Sequence, residues 1–219
     1  MPLPMVHLLL DNILETKLER QSDPYFLLGS IAPDSIHARP GTTRRDKHVT
    51  HLFSNGHGDT EAINANVANV LQVLKETDKN DEFTKGYCIH TMLDMMWINK
   101  VFNVLARTLR AGGINFNDVR NKYYEETDVC DLYICNNMPW IPGYRELLCR
   151  VKPVGFMDLL AAEEVGLWRD EVIGKIDRYN GRKLSGYIPH YITYNLVYNF
   201  VDGFAQKIIN DFKSWEIPL

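Results

Sequence analysis

The chain has 219 residues, of which 45% are hydrophobic, 24% charged and 11% aromatic. This composition provides enough apolar material for one domain with a substantial core and excludes intrinsic disorder. Lys and Arg number 24 against 28 Asp and Glu, a net charge of −4, so binding to duplex nucleic acid through bulk charge is not expected. Six of the seven histidines lie in the first 90 residues, and this asymmetry directs the search for a site.

Sequence features that report on compartment all favour the cytoplasm. No run of 18 apolar residues is present, so no membrane span is expected. The amino-terminal segment lacks the basic start and the small-residue cleavage site that are typical of a signal peptide. The four cysteines, at positions 88, 130, 135 and 149, have neither the spacing of a disulfide framework nor that of a structural zinc site. We expect reduced thiols, mostly buried, in a cytoplasmic protein.

Helical periodicity dominates the first part of the chain. Apolar residues at helical spacing predict a first helix over about residues 3–20, followed by a short apolar segment at 25–32. Residues 35–58 are rich in Gly, Pro, Thr, Arg and His and are predicted to form one long loop, with a turn of helix near 46–53. Long loops in compact domains are often functional, and this one holds four histidines.

The rest of the chain is also predicted to be helical. A helix starts at Asp59 or Thr60, and a longer one over about residues 81–110 is apolar on nearly every face, as expected of a central buried helix. Further helices are predicted near residues 117–124, 143–151, 156–179 and 192–215. The fold class is therefore all-α, a single-domain helical bundle over residues 1–219.

Polar residues interrupt the apolar face of the central helix. His90 and Asp94 are four residues apart and share one helix face. A buried carboxylate is costly unless a cation or several donors compensate it. The pair is either a hydrogen-bonded pair within the core or two ligands of one metal ion, and the spacing alone leaves both interpretations open.

Three further residues fit the second interpretation. His7 lies on the apolar face of the first helix, although a lone histidine in that position is more often a core residue. Asp34 follows Pro33 at the end of an apolar segment, and His51 follows His48 at a spacing of three. Nitrogen and oxygen donors together suit zinc or another divalent transition ion and argue against calcium.

Four short motifs carry a resemblance to a known family. They are MVHL around His7, FLLGSIAPD ending at Asp34, VTHLF around His51 and GYCIHTMLD ending at Asp94. In this order they resemble the zinc-dependent phospholipase C family, and most closely its short bacterial members without a signal peptide. The resemblance covers about residues 1–100 and implies the all-helical fold that this family shares with the single-strand-specific zinc nucleases.

The resemblance implies a metal site and an activity. Its metal ligands are His7, Asp34, His51, His90 and Asp94, with Asp94 as the natural bridge between two ions and Asp34 also serving as proton acceptor for the attacking water. The implied reaction is hydrolysis of a phosphoester, a phosphodiester in that family. The implied substrate is a phosphate-ester small molecule or a phospholipid head group.

The chain departs from the family pattern after Asp94. Secreted members bind a further zinc through two histidines and a glutamate, and they use the amino-terminal residue of the mature chain as another ligand. No histidine lies between Asp94 and His190, so we expect one or two zinc ions rather than three. The carboxylates available in that region are Glu125, Glu126, Glu146, Glu163 and Glu164.

The long loop leaves several interpretations open. His37, His48 and His57 are loop residues, further ligands, or residues that orient the ligands. The basic residues between positions 39 and 47 either bind a substrate phosphate or are simply solvated; they are Arg39, Arg44, Arg45 and Lys47. A second hypothesis for the whole chain is a non-catalytic helical protein in which the site is structural or serves partner binding.

Overall fold

The computed structural model describes residues 2–53, 60–183 and 186–219. Its first half contains five α-helices and one 3₁₀ helix. They are α1 (Pro4–Leu18), α2 (Pro24–Ile31), the 3₁₀ helix Ala32–Ala38, α3 (Arg44–Thr50), α4 (Thr60–Glu76) and α5 (Glu82–Trp97). All the motifs of the metal-site prediction lie in this half.

The second half continues as helices. A π-helical turn, Ile98–Phe102, joins α5 to α6 (Asn103–Ala111). The remaining helices are α7 (Phe116–Asn137), α8 (Ile141–Arg150), α9 (Ala162–Tyr179) and α10 (Tyr194–Ser214). No strand occurs among the described residues, where the sole β-like feature is an isolated bridge between Phe156 and Leu160. The all-α prediction is confirmed. Over the same residues, no helix combines the length and hydropathy needed to cross a membrane.

Local sequence explains where the first two helices begin and end. Both start with a proline in the first turn, where its missing N–H costs nothing. The Asp23 side chain caps α2 by accepting from the backbone N–H groups of Tyr25 and Phe26. α1 ends where Glu19 adopts a left-handed conformation with φ of 51°.

Helices α2 and α5 cross at two facing glycines, and this crossing organises the first half. A Cβ atom on Gly29 would lie 2.1 Å from the Phe83 carbonyl oxygen, and one on Gly86 would lie 2.2 Å from that of Phe26. Only glycine permits backbones to approach this closely. Both glycines belong to the motifs that also contain Asp34 and His90, so the close crossing brings those motifs together.

The structure changes three predicted boundaries and one predicted loop. The helix predicted near residues 156–179 begins only at Ala162. The region predicted as a loop from residue 35 contains the 3₁₀ helix and α3, which a Thr43–Asp46 capping box starts. The helix predicted over 81–110 is divided by the π turn, and the one predicted near 117–124 extends to Asn137. His57 lies outside the described residues.

A single hydrophobic cluster contains buried side chains from helices of both halves. α5 is buried on almost every face, from Phe83 to Met95, which confirms the prediction of a central helix. Cys88, Cys130 and Cys135 are buried free thiols in this structure, and Cys149 is an exposed one. The centre of the fold therefore also holds the polar pair of α5.

Candidate metal centre

The structure brings all five predicted ligands into one buried group. His7 comes from α1, Asp34 from the 3₁₀ helix, His51 from the residue that ends α3, and His90 and Asp94 from α5. Each is buried. We refer to these five residues as the histidine–aspartate cluster.

Asp94 lies at the middle of the cluster. Its Oδ1 is 3.5 Å from His7 Nε2, while its Oδ2 is 3.2 Å from His51 Nε2 and 3.8 Å from His90 Nε2. Asp34 Oδ1 approaches the same His51 Nε2 at 3.5 Å. The five residues include two sets of three donors, and within each set the donor atoms lie within 4.8 Å of one another. The first set is His7, His90 and Asp94, and the second is Asp34, His51 and His90.

Backbone carbonyls fix the orientation of two imidazoles. His90 Nδ1 donates to the Ser30 carbonyl at 2.7 Å, and His51 Nδ1 donates to the Lys47 carbonyl at 2.9 Å. A carbonyl oxygen can only accept, so each neutral ring carries its proton on Nδ1 and has a lone pair on Nε2. The two Nε2 atoms face each other at 3.3 Å, an arrangement that either a cation or one extra proton would stabilise.

Several buried atoms of the cluster have no hydrogen bond among the described residues. Both carboxylate oxygens of Asp94 and both ring nitrogens of His7 belong to this group. Unsatisfied buried polar atoms are rare and costly in proteins. His7 instead stacks flat on His90, with ring centroids 3.8 Å apart and an interplanar angle of 6°. The unpartnered oxygens and nitrogens fit a divalent ion as their missing partner.

The charges within the cluster keep its carboxylates ionised. Burial alone would raise the pKa of Asp94, but the imidazoles of His90, His51 and His7 hold it well below its ordinary value. Burial lowers the pKa of His90 to about 3, with neighbouring His7 acting in the same direction. The arrangement therefore presents a carboxylate and a neutral imidazole, the forms that bind metals.

Asp34 connects the cluster to a lysine. Lys47 Nζ lies 2.6 Å from Asp34 Oδ1 and 3.0 Å from His37 Nε2. Burial opposes ionisation of Asp34, but the ammonium of Lys47 and the neighbouring imidazole of His51 hold its pKa well below the ordinary range. Burial would lower the pKa of Lys47, but the facing carboxylates of Asp34 and Asp94 raise this pKa above its ordinary value.

A cavity of about 590 Å³ opens beside this lysine. Of the five clustered residues, only Asp34 lines it, together with His37, Lys47 and His48. The other walls come from the 3₁₀ helix, the π turn, α7 and α9. A solute would therefore reach the cluster from the side of Asp34, and the cavity has the size typical of small-molecule sites.

Comparison with protein-family models, curated proteins and solved structures finds no match to this chain. The resemblance to zinc-dependent phospholipase C therefore stays a prediction. The geometry of the histidine–aspartate cluster stands independently of it.

The structure separates the basic residues of the loop. Arg39 forms a bidentate pair with Glu164 of α9, at 2.6 and 2.9 Å. The side chain of Arg44 is not described, and Arg45 is exposed. Lys47 alone among these described side chains reaches Asp34, so the basic loop is not one phosphate site. His37 and His48 line the cavity rather than joining either donor set.

The carboxylates predicted to be available after Asp94 have other partners or face solvent. Glu126 is buried and accepts from the backbone N–H groups of His190, Tyr191 and Ile192, which fixes that segment on α7. Glu146 and Glu125 pair with nearby basic residues, Glu164 pairs with Arg39, and Glu163 is exposed. None of them belongs to a donor set found among the described residues.

Sequence patterns did not single out one residue that orients His90 or two buried acids of α1. Ser30 acts through its backbone carbonyl, which leaves no side-chain pattern to detect. Asp11 and Glu15 are buried on α1 at spacings of four and eight from His7. This polar stripe along an otherwise apolar helix was a detectable signal.

Proposed function

We propose that the chain is a divalent-metal-dependent hydrolase of phosphate esters whose ligands are the histidine–aspartate cluster. The observation that carries the proposal is the set of unpartnered donor atoms on His7 and Asp94, buried beside two further imidazoles and joined through Asp34 to a cavity. Mixed nitrogen and oxygen donors favour zinc or a similar ion.

The metal, when bound, would polarise a phosphoryl oxygen and lower the pKa of a water molecule. The chain's own residues prepare the site for this chemistry. The Ser30 and Lys47 carbonyls hold His90 and His51 with Nε2 directed inward, as orienting hydrogen bonds do in metal sites. Asp94 offers its two oxygens to different imidazoles.

Asp34 and Lys47 act at the boundary between cluster and cavity. The resemblance gives Asp34 two roles, ligand and proton acceptor. Because Lys47 holds its carboxylate in the ionised form, Asp34 is a good ligand and a weak base. The ligand role is the better supported of the two. Lys47 lines the cavity itself and carries a positive charge toward any anion that enters.

The test measures metal and turnover together. Protein purified without chelators is analysed for metals and assayed with p-nitrophenyl phosphate and bis-p-nitrophenyl phosphate. We expect at least one divalent transition ion per chain and hydrolysis of at least one ester. His90→Ala should lose both metal and activity, whereas the exposed-carboxylate variant Asp170→Asn should lose neither. Absence of metal from the unstripped protein would contradict the proposal.

A second candidate follows from the burial of the cluster. Four of the five residues do not line the cavity, and the pKa of His51 is raised: burial opposes this, but the carboxylates of Asp34 and Asp94, 3.5 and 3.2 Å from its Nε2, outweigh it. A proton or an inaccessible metal would then complete a purely structural network, with the surface serving partner binding. Chelation would lower the melting temperature while every phosphate ester tested stays intact.

A further inference from the structure

One face of α7 forms a wall of the cavity. Phe116, Arg120, Tyr123 and Tyr124 are spaced so that they share this face, and all four line the cavity. Phe116 is 53% exposed and Tyr124 is 49% exposed. Two large aromatic rings left open to solvent at the mouth of a cavity are a typical surface for a flat apolar ligand.

Arg120 supplies a cation on the same wall. No hydrogen bond or ion pair to its guanidinium occurs among the described residues. Some other arginines of the second half hold carboxylates: Arg145 binds Asp177, and Arg178 binds Glu171. A guanidinium presents its donors in a planar fork that matches phosphate oxygens. Arg120 is therefore placed to receive an anion from solution.

A further aromatic residue lines the cavity from another helix. Trp168 of α9 lines the cavity and contacts His37, with ring centroids 5.7 Å apart. Lys47 and Asp34 lie at the end that adjoins the histidine–aspartate cluster. The cavity thus has aromatic side walls, a cation from α7 and a second cation beside the candidate metal ligands.

We propose that this cavity recognises a phosphate monoester of an aromatic alcohol, with Arg120 pairing with the phosphate and the rings of α7 and Trp168 holding the aromatic group. This deepens the proposed function by naming its substrate class. The residues responsible come from α7 and α9, outside the four motifs of the first half. Arg120 is then a specificity-determining residue, and Phe116 and Tyr124 select the organic group.

Calorimetry with non-hydrolysable probes tests recognition without turnover. Protein as purified, with its metal, is titrated with phenylphosphonate and with methylphosphonate. We expect the phenyl compound to bind about tenfold tighter or more, because only its ring is buried between aromatic walls. Arg120→Gln should weaken both probes by about tenfold or more, and Arg120→Lys should restore part of the loss. Tyr124→Ser should weaken only the phenyl compound.

Matched surface variants control for general effects. Arg110→Gln removes an exposed arginine of α6, and Tyr198→Ser removes an exposed tyrosine of α10; neither residue lines the cavity. Both should leave the two affinities unchanged. Equal affinity for the two phosphonates in the unaltered protein would overturn the proposal, as would equal effects of Arg120→Gln and Arg110→Gln. Displacement of phenylphosphonate by phosphatidylcholine vesicles, with no preference for the phenyl probe, would overturn it in favour of a lipid.

Binding and turnover separate this inference from the proposed function. Ring-dependent phosphonate binding without hydrolysis of any ester would support recognition and contradict the hydrolase proposal. Hydrolysis with equal affinity for both phosphonates would support the hydrolase and contradict the substrate class.

Discussion

Helix α1 carries polar side chains on three successive turns, but they belong to two contrasting regions. His7 joins the histidine–aspartate cluster, whereas Asp11 and Glu15 form an acidic pair on the other side of α2's Ser30. Ser30 Oγ donates to Asp11, and the Tyr144 and Ser22 hydroxyls donate to Glu15. Burial raises the pKa of both acids, that of Asp11 well above its ordinary value.

The contrast lies in the partners rather than in the burial. Asp94 and Asp11 are both completely buried and both have a carboxylate oxygen without a hydrogen bond. At Asp11 burial favours the neutral acid and the Ser30 hydroxyl only partly opposes it, while the imidazoles around Asp94 outweigh burial and favour the carboxylate. An unpartnered oxygen alone therefore does not indicate a metal site, and the proposal for Asp94 depends on the nitrogen donors beside it.

Replacing each buried aspartate by its amide should give the largest difference between the two regions. Asp94→Asn should abolish metal binding, so that chelation no longer changes its melting temperature. For the unaltered protein, chelation should lower the melting temperature by about 10 °C, if the metal stabilises the fold by about 4 kcal/mol. Asp11→Asn replaces a neutral acid by a neutral amide, so it should keep the metal and the chelation response. If chelation lowered the melting temperature of Asp94→Asn as much as that of Asp11→Asn, the proposed difference between the two aspartates in metal binding would be contradicted.

A methyl group at the helix crossing should damage both regions together. Gly86→Ala places a Cβ against the Phe26 carbonyl and should cost about 3 kcal/mol or more of unfolding free energy. The denaturant midpoint measures this loss. Gly203→Ala is the matched control: this helical glycine has no heavy atom within 4 Å of an added Cβ, so the change should stabilise by up to about 1 kcal/mol. Similar midpoints for the two variants would contradict the close crossing.

Acid should weaken the histidine–aspartate cluster through His90. Its pKa in the folded protein is about 3 against about 6.5 in the unfolded chain. As pH falls below 6.5 the unfolded chain therefore binds a proton that the folded protein does not, and stability falls. In metal-free protein, lowering the pH from 7.5 to 5.5 should cost about 1.4 kcal/mol more than in His90→Gln. Parallel pH profiles of unfolding free energy in the two proteins would show that His90 is not held neutral.

The smallest effect is expected in the acidic pair. Tyr144→Phe removes the hydroxyl that donates to Glu15 and should cost about 1 kcal/mol of unfolding free energy. Metal content and the chelation response should stay unchanged, because Tyr144 contacts no residue of the histidine–aspartate cluster in the described structure. Loss of metal from this variant would contradict this separation and show that the acidic pair and the histidine–aspartate cluster are coupled.

Residue patterns predicted the helices and the five residues that form the histidine–aspartate cluster. His90 and Asp94 were visible because polar residues stood on an apolar helix face, and His7 for the same reason. Asp34 and His51 came from short motifs, since a seven-residue 3₁₀ helix and a helix end have no long periodicity to detect. The structure places all five together, but their role as ligands stays a prediction.

Other features could not be read from local patterns. The 3₁₀ helix was hidden, and α3 was predicted only as a turn of helix near residues 46–53, because Gly, Pro and Thr around residues 38–43 indicate a loop. Lys47 looked like one member of a basic loop, and only tertiary packing distinguishes it from Arg39, which pairs with Glu164. Arg120 lies on a helix with no motif around it, so its position at the cavity depends entirely on how α7 packs.

The π turn between α5 and α6 sets the rotation of one helix relative to the other. Ile98 and Phe102, at its two ends, line the cavity, while His90 and Asp94 lie on the regular helix before it. A π turn contains one residue more than the α-helical path, and each residue of an α-helix corresponds to a rotation of about 100°. Deleting one residue there would turn α6 by that angle and carry Leu105 and Leu109 out of the core. The inserted residue thus sets the angle at which α6 follows α5, so that Leu105 and Leu109 face the core beyond a turn that itself lines the cavity.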